Sequence, residues 1–132
     1  MAFFRIYKQG DKSDCGPTCL RMIIKYFKKD ISIQTLKDLC SIDREGMSIK
    51  AIENVANKIG LKTMSIKAVI ENKHSEIPLL NELPLPLIAH WNNNHFVVIY
   101  KINKKKVYIA DPGIGSIIIP IEKITNQFYS DN

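Results

Sequence analysis

One stretch near the start decides the fold: Gln9-Gly-Asp-Lys-Ser-Asp-Cys15-Gly-Pro-Thr-Cys19-Leu20. Its first six residues are polar or small, and they predict a loop. From Asp14 onward, apolar side chains recur at the spacing of one helix face, at Leu20, Ile23, Ile24 and Phe27. The sequence therefore predicts a helix that carries Cys15 in its first turn.

Cys15 lies at the end of this predicted helix where an anion is stabilised. The unpaired amides and the positive end of the helix dipole favour a thiolate, which is the nucleophilic form of cysteine. Gly16 has no side chain, so a substrate backbone can approach the sulfur. A small buried residue that merely starts a helix fits the same position. The interpretation of Cys15 as a nucleophile therefore depends on its partners.

Two further helices are expected in the first half of the chain. Ser32 can cap a short helix that runs through Leu36 and Leu39, because its hydroxyl accepts from the free amides of the first turn. Ser48 can cap a third helix, which Gly60 ends. The residues of this third helix that we expect to point inward are Ile49, Ile52, Val55 and Ile59.

The second half of the chain predicts a sheet. Beyond Leu61, short runs rich in Ile and Val are separated by proline or lysine clusters, a texture typical of strands. We predict strands at residues 63–67, 85–91, 95–102, 107–110 and 116–119, with turns at 92–94 and 103–106. Helices first and antiparallel strands afterwards predict an α+β domain.

Two candidate partners of Cys15 lie on neighbouring predicted strands. His95 begins one strand and Asp111 ends the next. If these strands pair through a hairpin at 103–106, the two residues meet at its open end. Asp111 can then accept from one ring nitrogen of His95, which leaves the other to take the thiol proton. Gln9 is a candidate donor to an oxyanion, together with the Cys15 amide.

Length, composition and charge limit the classes of protein to which the chain can belong. The 132 residues, 45% hydrophobic and 24% charged, fit one globular domain over residues 1–132. The net charge of +6 raises nucleic acid as a partner, but the basic residues form short clusters at 28–29 and 104–106, which favour solvated turns. No secretion signal is visible, and no apolar run approaches the ~18 residues that span a bilayer.

The cysteines are odd in number, with Cys19 and Cys40 beside Cys15. Reduced thiols in a cytoplasmic setting are favoured over a disulfide between Cys19 and Cys40. A zinc site built from Cys15, Cys19 and His95 is conceivable, but the spacing is a poor fit to structural zinc sites. We expect no metal.

The residues 9–20 quoted above belong to a wider pattern. Together with Leu87-Ile-Ala-His-Trp-Asn-Asn-Asn-His95-Phe-Val-Val and Asp111-Pro-Gly, they resemble the N-terminal peptidase domain of peptidase-containing ABC transporters. This is the bacteriocin-processing family of cysteine peptidases. The resemblance spans nearly the whole chain in the same order. It implies a papain-like fold in which the helical half packs on the antiparallel sheet.

The resemblance also implies roles and partners. Cys15 would attack, His95 would act as base and acid, Asp111 would orient His95, and Gln9 would line the oxyanion hole. The family removes helical leader peptides after a double-glycine motif, on the cytoplasmic side of the bacterial membrane. Transmembrane and nucleotide-binding domains of the transporter would then export the product. ATP would belong to those domains, and the peptidase domain would need no cofactor, since thiolate attack forms its own covalent intermediate.

Two alternatives stay open at this point. One is a catalytically silent module that binds leader peptides for a transporter. The other is a different papain-like acyl transfer, such as amide crosslinking, in which an amine rather than water receives the acyl group.

Overall fold

The chain forms helices in its first half and a sheet in its second. The computed structural model of the protein describes residues 4–40, 48–63, 83–91 and 95–124. In these ranges the helices are α1 (Cys15–Tyr26), α2 (Ile33–Cys40) and α3 (Ile49–Lys58). The strands are β1 (Leu87–Trp91), β2 (His95–Asn103), β3 (Lys106–Asp111) and β4 (Gly115–Pro120). Short 3₁₀ helices occupy Lys12–Asp14 and Ile121–Lys123. The predicted α+β class is confirmed.

The helix ends follow from the capping residues. The Ser48 hydroxyl accepts a hydrogen bond from the amide three residues later at 3.1 Å, and the Ser32 hydroxyl does the same at 3.2 Å. Helix α3 ends at Lys58 with Ile59 as its C-cap, and Gly60 follows with a φ of +96°, which a residue without a side chain adopts most readily. The Leu61 amide then donates back to the Ala56 carbonyl at 3.0 Å, which closes the helix end. Both serine caps and the glycine stop are confirmed.

The helices are short, and two residues predicted on their apolar faces are exposed. The longest, α1, has 12 residues, and no helix in the described ranges has the length and apolar content to cross a membrane. Ile49, which we expected to point inward, is 46% exposed. Ala56 lies only about 20° around α3 from Ile49 and is buried, so the exposure of Ile49 follows from its place as the first residue of the helix. Phe27 follows the last residue of α1 and is 51% exposed.

The four strands form one antiparallel sheet in the order β1-β2-β3-β4. Strand β1 begins at Leu87, two residues later than predicted. Pro86 lacks the N–H that a ladder needs, which accounts for the difference. Of the predicted strand 63–67, Thr63 is not in a strand and residues 64–67 lie outside the described residues, as does the predicted turn at 92–94.

The hairpin of β2 and β3 fixes the relation between two candidate site residues. A register shift in the middle of β2 adds one residue to that strand. Val98 pairs with Ala110, so the position opposite Asp111 is residue 97, and His95 lies two residues beyond it. Diagonal neighbours at this separation are within reach of long side chains. The prediction that both residues lie at the open end of the hairpin is confirmed.

Packing of α1 on β2 joins the two halves of the chain. Leu20 and Ile24 of α1 are fully buried in one cluster with Phe96 and Val98 of β2. Burial of each such side chain contributes about 1.5–3 kcal/mol. The start of α1 therefore lies against the start of β2, which brings Cys15 to His95.

Candidate active site

Cys15 is the first residue of α1 and is 7% exposed. Burial raises the pKa of its thiol, because a thiolate loses hydration in the interior. A hydrogen bond with the His95 side chain and backbone hydrogen bonds from Phe96 and Gly16 act in the opposite direction and prevail, so the pKa of Cys15 is lowered. The Gly16 amide belongs to the first turn of α1. The amide at the helix start therefore acts to lower the pKa of Cys15, as predicted.

His95 lies between two groups that favour its protonated form. The hydrogen bond with Cys15 is the largest cause that raises its pKa, burial lowers it, and the hydrogen bond and charge of Asp111 raise it further, to about 9. The imidazole is therefore protonated at neutral pH. Together with the lowered pKa of Cys15, this favours a thiolate–imidazolium pair over two neutral side chains.

Asp111 ends β3 and is 4% exposed. Its Oδ1 lies 2.7 Å from Nε2 of His95 and also accepts a hydrogen bond from the Gly113 amide at 2.8 Å. The second bond holds the carboxylate in place, so that it can fix the orientation of the ring. Because Nε2 faces Asp111, Nδ1 is the ring nitrogen left for the thiol.

Gln9 borders the same pair. Its backbone N–H donates to the Pro112 carbonyl at 2.8 Å, which ties the N-terminal loop to the residue after Asp111. A Cβ atom at Gly113 would lie 3.4 Å from Asp111 Oδ1, 3.8 Å from Gln9 Oε1 and 3.9 Å from His95 Cε1. The site predicted from the sequence is thus one cluster in space, because Gln9, Asp111 and His95 surround one point and Cys15 contacts His95.

The other cysteines are free and buried, as Cys15 is. Cys19 is fully buried one turn along α1, and burial raises its pKa well above the ordinary value, with the charges of Cys15 and Asp111 acting in the same direction. Burial raises the pKa of Cys40 to about 11. The preference for thiols over a disulfide is confirmed. In the described part of the chain, no group of three or more His, Cys, Asp or Glu side chains could hold a metal ion.

Sequence reasoning missed one ion pair beside the nucleophile. Asp14 is buried directly before Cys15, and its Oδ2 lies 3.4 Å from Nζ of Lys37 on α2. An aspartate that precedes a helix suggests only a cap, and Lys37 looks like an ordinary lysine on a helix surface. No local pattern joins residues so far apart along the chain, so the packing of α2 on α1 was needed to find the pair.

In papain-like cysteine peptidases, a thiol interacts with a histidine, and a side-chain oxygen of a third residue orients that histidine. Cys15, His95 and Asp111 are arranged in this way. Residues 4–130 match the peptidase C39 family. The chain belongs to this family, which confirms the resemblance seen in the sequence.

Curated relatives are much longer proteins. The chain is 34% identical over 128 residues to the lactococcin-G-processing and transport ATP-binding protein of Lactococcus lactis subsp. lactis, with 94% of this chain and 18% of that protein covered. It is 27% identical over 123 residues to the colicin V secretion/processing ATP-binding protein of Escherichia coli, with 93% and 17% covered. The chain thus spans less than a fifth of the length of either relative.

Solved structures share the fold. A double glycine motif protease from an AMS/PCAT transporter, in complex with the leader peptide, superposes with a TM-score of 0.85 at 28% identity, covering 96% of this chain and 86% of that one. The peptidase domain of Streptococcus ComA, a bi-functional ABC transporter involved in a quorum sensing pathway, gives 0.80 at 26% identity, with 95% and 92% covered. The predicted papain-like fold is confirmed.

Proposed function

We propose that this chain is a cysteine endopeptidase in which Cys15 is the nucleophile, His95 the general base and acid, and Asp111 the residue that orients His95. One observation carries the proposal: the His95 imidazole lies between the Cys15 thiol, whose pKa it lowers, and the buried carboxylate of Asp111, whose Oδ1 is 2.7 Å from Nε2. The lowered pKa of Cys15 and the raised pKa of His95 favour the reactive ion pair before substrate arrives.

The reaction proceeds in two steps. The thiolate of Cys15 attacks the scissile carbonyl carbon, and the Gln9 side-chain amide and the Cys15 backbone N–H donate to the oxyanion that forms. The imidazolium of His95 gives its proton to the leaving amine as the C–N bond breaks, which leaves a thioester. Neutral His95 then takes a proton from water, whose oxygen attacks the thioester. Collapse of this second intermediate releases the carboxylate product and the thiolate.

The proposed substrate is the precursor of a bacteriocin or a similar secreted peptide, cut after a double-glycine motif at the end of a helical leader. The descriptions of a related structure and of the relatives support this choice, since they name a double glycine motif protease with its leader and processing proteins. The burial of Cys15 supports it physically. Residues with little or no side chain before the cut let the substrate backbone reach a recessed sulfur.

We further propose that residues 1–132 are the single N-terminal peptidase domain of an ABC transporter, on the cytoplasmic side of the bacterial membrane. Its partners would be the leader peptide and the transmembrane and nucleotide-binding domains, which would use the ATP. This chain covers less than a fifth of the length of either relative, which supports its place as one domain of a longer transporter. The thioester chemistry needs no cofactor, so cleavage should be unchanged after treatment with EDTA.

The test is cleavage of a synthetic double-glycine precursor by the purified chain under reducing conditions, followed by mass spectrometry. We expect one cut after the second small residue, and none in a matched peptide with valine at both positions. Absence of cleavage by the wild-type chain would contradict the proposal. Binding of an intact leader would then favour a silent binding module, and an amide-crosslinked product would favour acyl transfer to an amine.

A further inference from the structure

Lys37 on α2 forms ion pairs with the 3₁₀ turn that precedes α1. Asp14 is 3% exposed, and its Oδ2 lies 3.4 Å from Lys37 Nζ. The same ammonium lies 3.7 Å from the carboxylate of Asp11, at the other end of the 3₁₀ turn. Only 29% of the Lys37 side chain is exposed. Lys37 therefore forms ion pairs with two carboxylates of the turn that precedes Cys15.

Hydrogen bonds extend this anchoring to Gln9. Asp14 Oδ2 also accepts from the Asp11 backbone N–H at 3.2 Å. The Asp11 carbonyl in turn accepts from Gln9 Nε2 at 2.7 Å. A continuous path thus runs from the Lys37 ammonium through Asp14 and Asp11 to the side-chain amide of Gln9.

The fixed amide matters because of what Gln9 has to donate. An amide nitrogen carries two N–H groups, so Nε2 keeps one after it donates to Asp11. An oxyanion donor is effective when it is held in place before charge develops, since nothing then has to reorganise during the reaction. The Oε1 atom of Gln9 is buried and has no hydrogen-bond partner among the described residues, so the bond of Nε2 to Asp11 is what orients the amide.

We propose that Lys37 is a positioning residue for the reaction: through Asp14 and Asp11 it holds the Gln9 amide in the orientation that receives the oxyanion. The inference rests on the proposed peptidase function. Lys37 touches no reacting atom and acts only through the turn. A purely structural role, in which Lys37 merely neutralises a buried carboxylate, predicts loss of stability without a specific effect on Gln9.

The experiment compares two reactions of the same thiol. Lys37→Met should lower kcat/KM for cleavage of the double-glycine precursor about 10-fold, less than the 100–1,000-fold that loss of an oxyanion donor costs. Alkylation of Cys15 by iodoacetamide should keep its wild-type rate, because displacement of iodide forms no oxyanion. Lys37→Arg should retain most of the cleavage. Lys25→Met is the matched control, since Lys25 forms an exposed ion pair with Asp30 at 3.6 Å, and it should leave both rates unchanged.

A double-mutant cycle then separates positioning from general damage. In a Gln9→Ala background, Lys37→Met should cause no further loss of cleavage, because the group that it positions is already gone. An equal loss in both backgrounds, or a parallel loss of alkylation, would overturn the inference.

Three further outcomes have separate interpretations. If Lys37→Met does not fold, the double variant Lys37→Met/Asp14→Asn tests the same path without leaving an unpaired buried charge, and the same split between cleavage and alkylation is expected. If the wild type cleaves and Lys37→Met cleaves at the same rate, the inference fails alone. If the wild type cleaves nothing, the proposed function fails first.

Discussion

The start of α1 and the open end of the β2–β3 hairpin each supply half of the candidate site, but they are built differently. At the hairpin end, His95 and Asp111 are set by the strand ladder and share a 2.7 Å contact. At the helix start, Gln9 is held by hydrogen bonds within a turn, and the turn is held by a cation from another helix. The first half depends on backbone pairing, and the second depends on tertiary contacts of side chains.

Cys15 should give the largest effect, because it forms the covalent bond. Cys15→Ala should lower kcat/KM for leader cleavage by at least about 10,000-fold, as loss of a nucleophile does in comparable enzymes. Cys19→Ala is the matched control one helical turn away, where the thiol is fully buried and its pKa is raised. That variant should keep its cleavage rate and lose about 1 kcal/mol of stability, measured by urea unfolding. Equal losses of activity in both variants would contradict the assignment.

Gln9 tests the helix-start half directly. Gln9→Ala should lower kcat for cleavage by about 100–1,000-fold while the rate of alkylation by iodoacetamide stays unchanged. Gln9→Glu is the matched variant, and its carboxylate should be as damaging because it has no N–H to donate. Steady-state kinetics and single-turnover alkylation on the same preparations measure both. A Gln9→Ala variant with normal kcat would remove Gln9 from the oxyanion hole.

Asp111 tests the hairpin half through the pH dependence. Cleavage should rise with pH through the lowered pKa of Cys15 and fall through about 9, where His95 loses the proton that the leaving amine needs. Asp111→Asn removes a charge that raises the pKa of His95, so the alkaline limb should move to lower pH. The rate at neutral pH should fall about 10-fold, part of what acid–base catalysis contributes. An unchanged alkaline limb would show that Asp111 does not act on His95.

The smallest effect on cleavage is expected at Ser48, which belongs to neither half of the site. Ser48→Ala removes the side-chain acceptor that caps α3 and should cost about 1 kcal/mol of stability. Cleavage at temperatures well below unfolding should not change. Thermal denaturation followed by circular dichroism measures the loss, and Ser48→Asp, which can still cap the helix, should restore stability. A loss of cleavage in folded Ser48→Ala would place α3 in the site.

The hairpin half of the site could be predicted because its signals are local. An apolar strand that begins with His95, a turn of lysines and a strand that ends with Asp111 define a hairpin by sequence alone. The helix caps at Ser32 and Ser48 were predictable for the same reason. The register shift within β2 was not, since a bulge depends on how side chains pack on both faces of the sheet.

The helix-start half was predictable only in part. The position of Cys15 and the candidacy of Gln9 follow from the stretch 9–20. The ion pair of Lys37 with Asp14 does not follow from that stretch, because it forms only when α2 packs against α1. The exposure of Ile49 was missed for a related reason: an apolar residue at the end of a helix is buried only if a neighbouring element covers it.

The most direct measurement is the pH dependence of Cys15 alkylation by iodoacetamide in the wild type and in His95→Ala. We predict that the wild-type thiol reacts rapidly at neutral and mildly acidic pH, and that the variant shifts toward the profile of a free thiol, with a pKa of about 8.5. Superimposable profiles would show that the imidazole does not activate the sulfur, and would contradict the assignment of Cys15 and His95 to one catalytic unit.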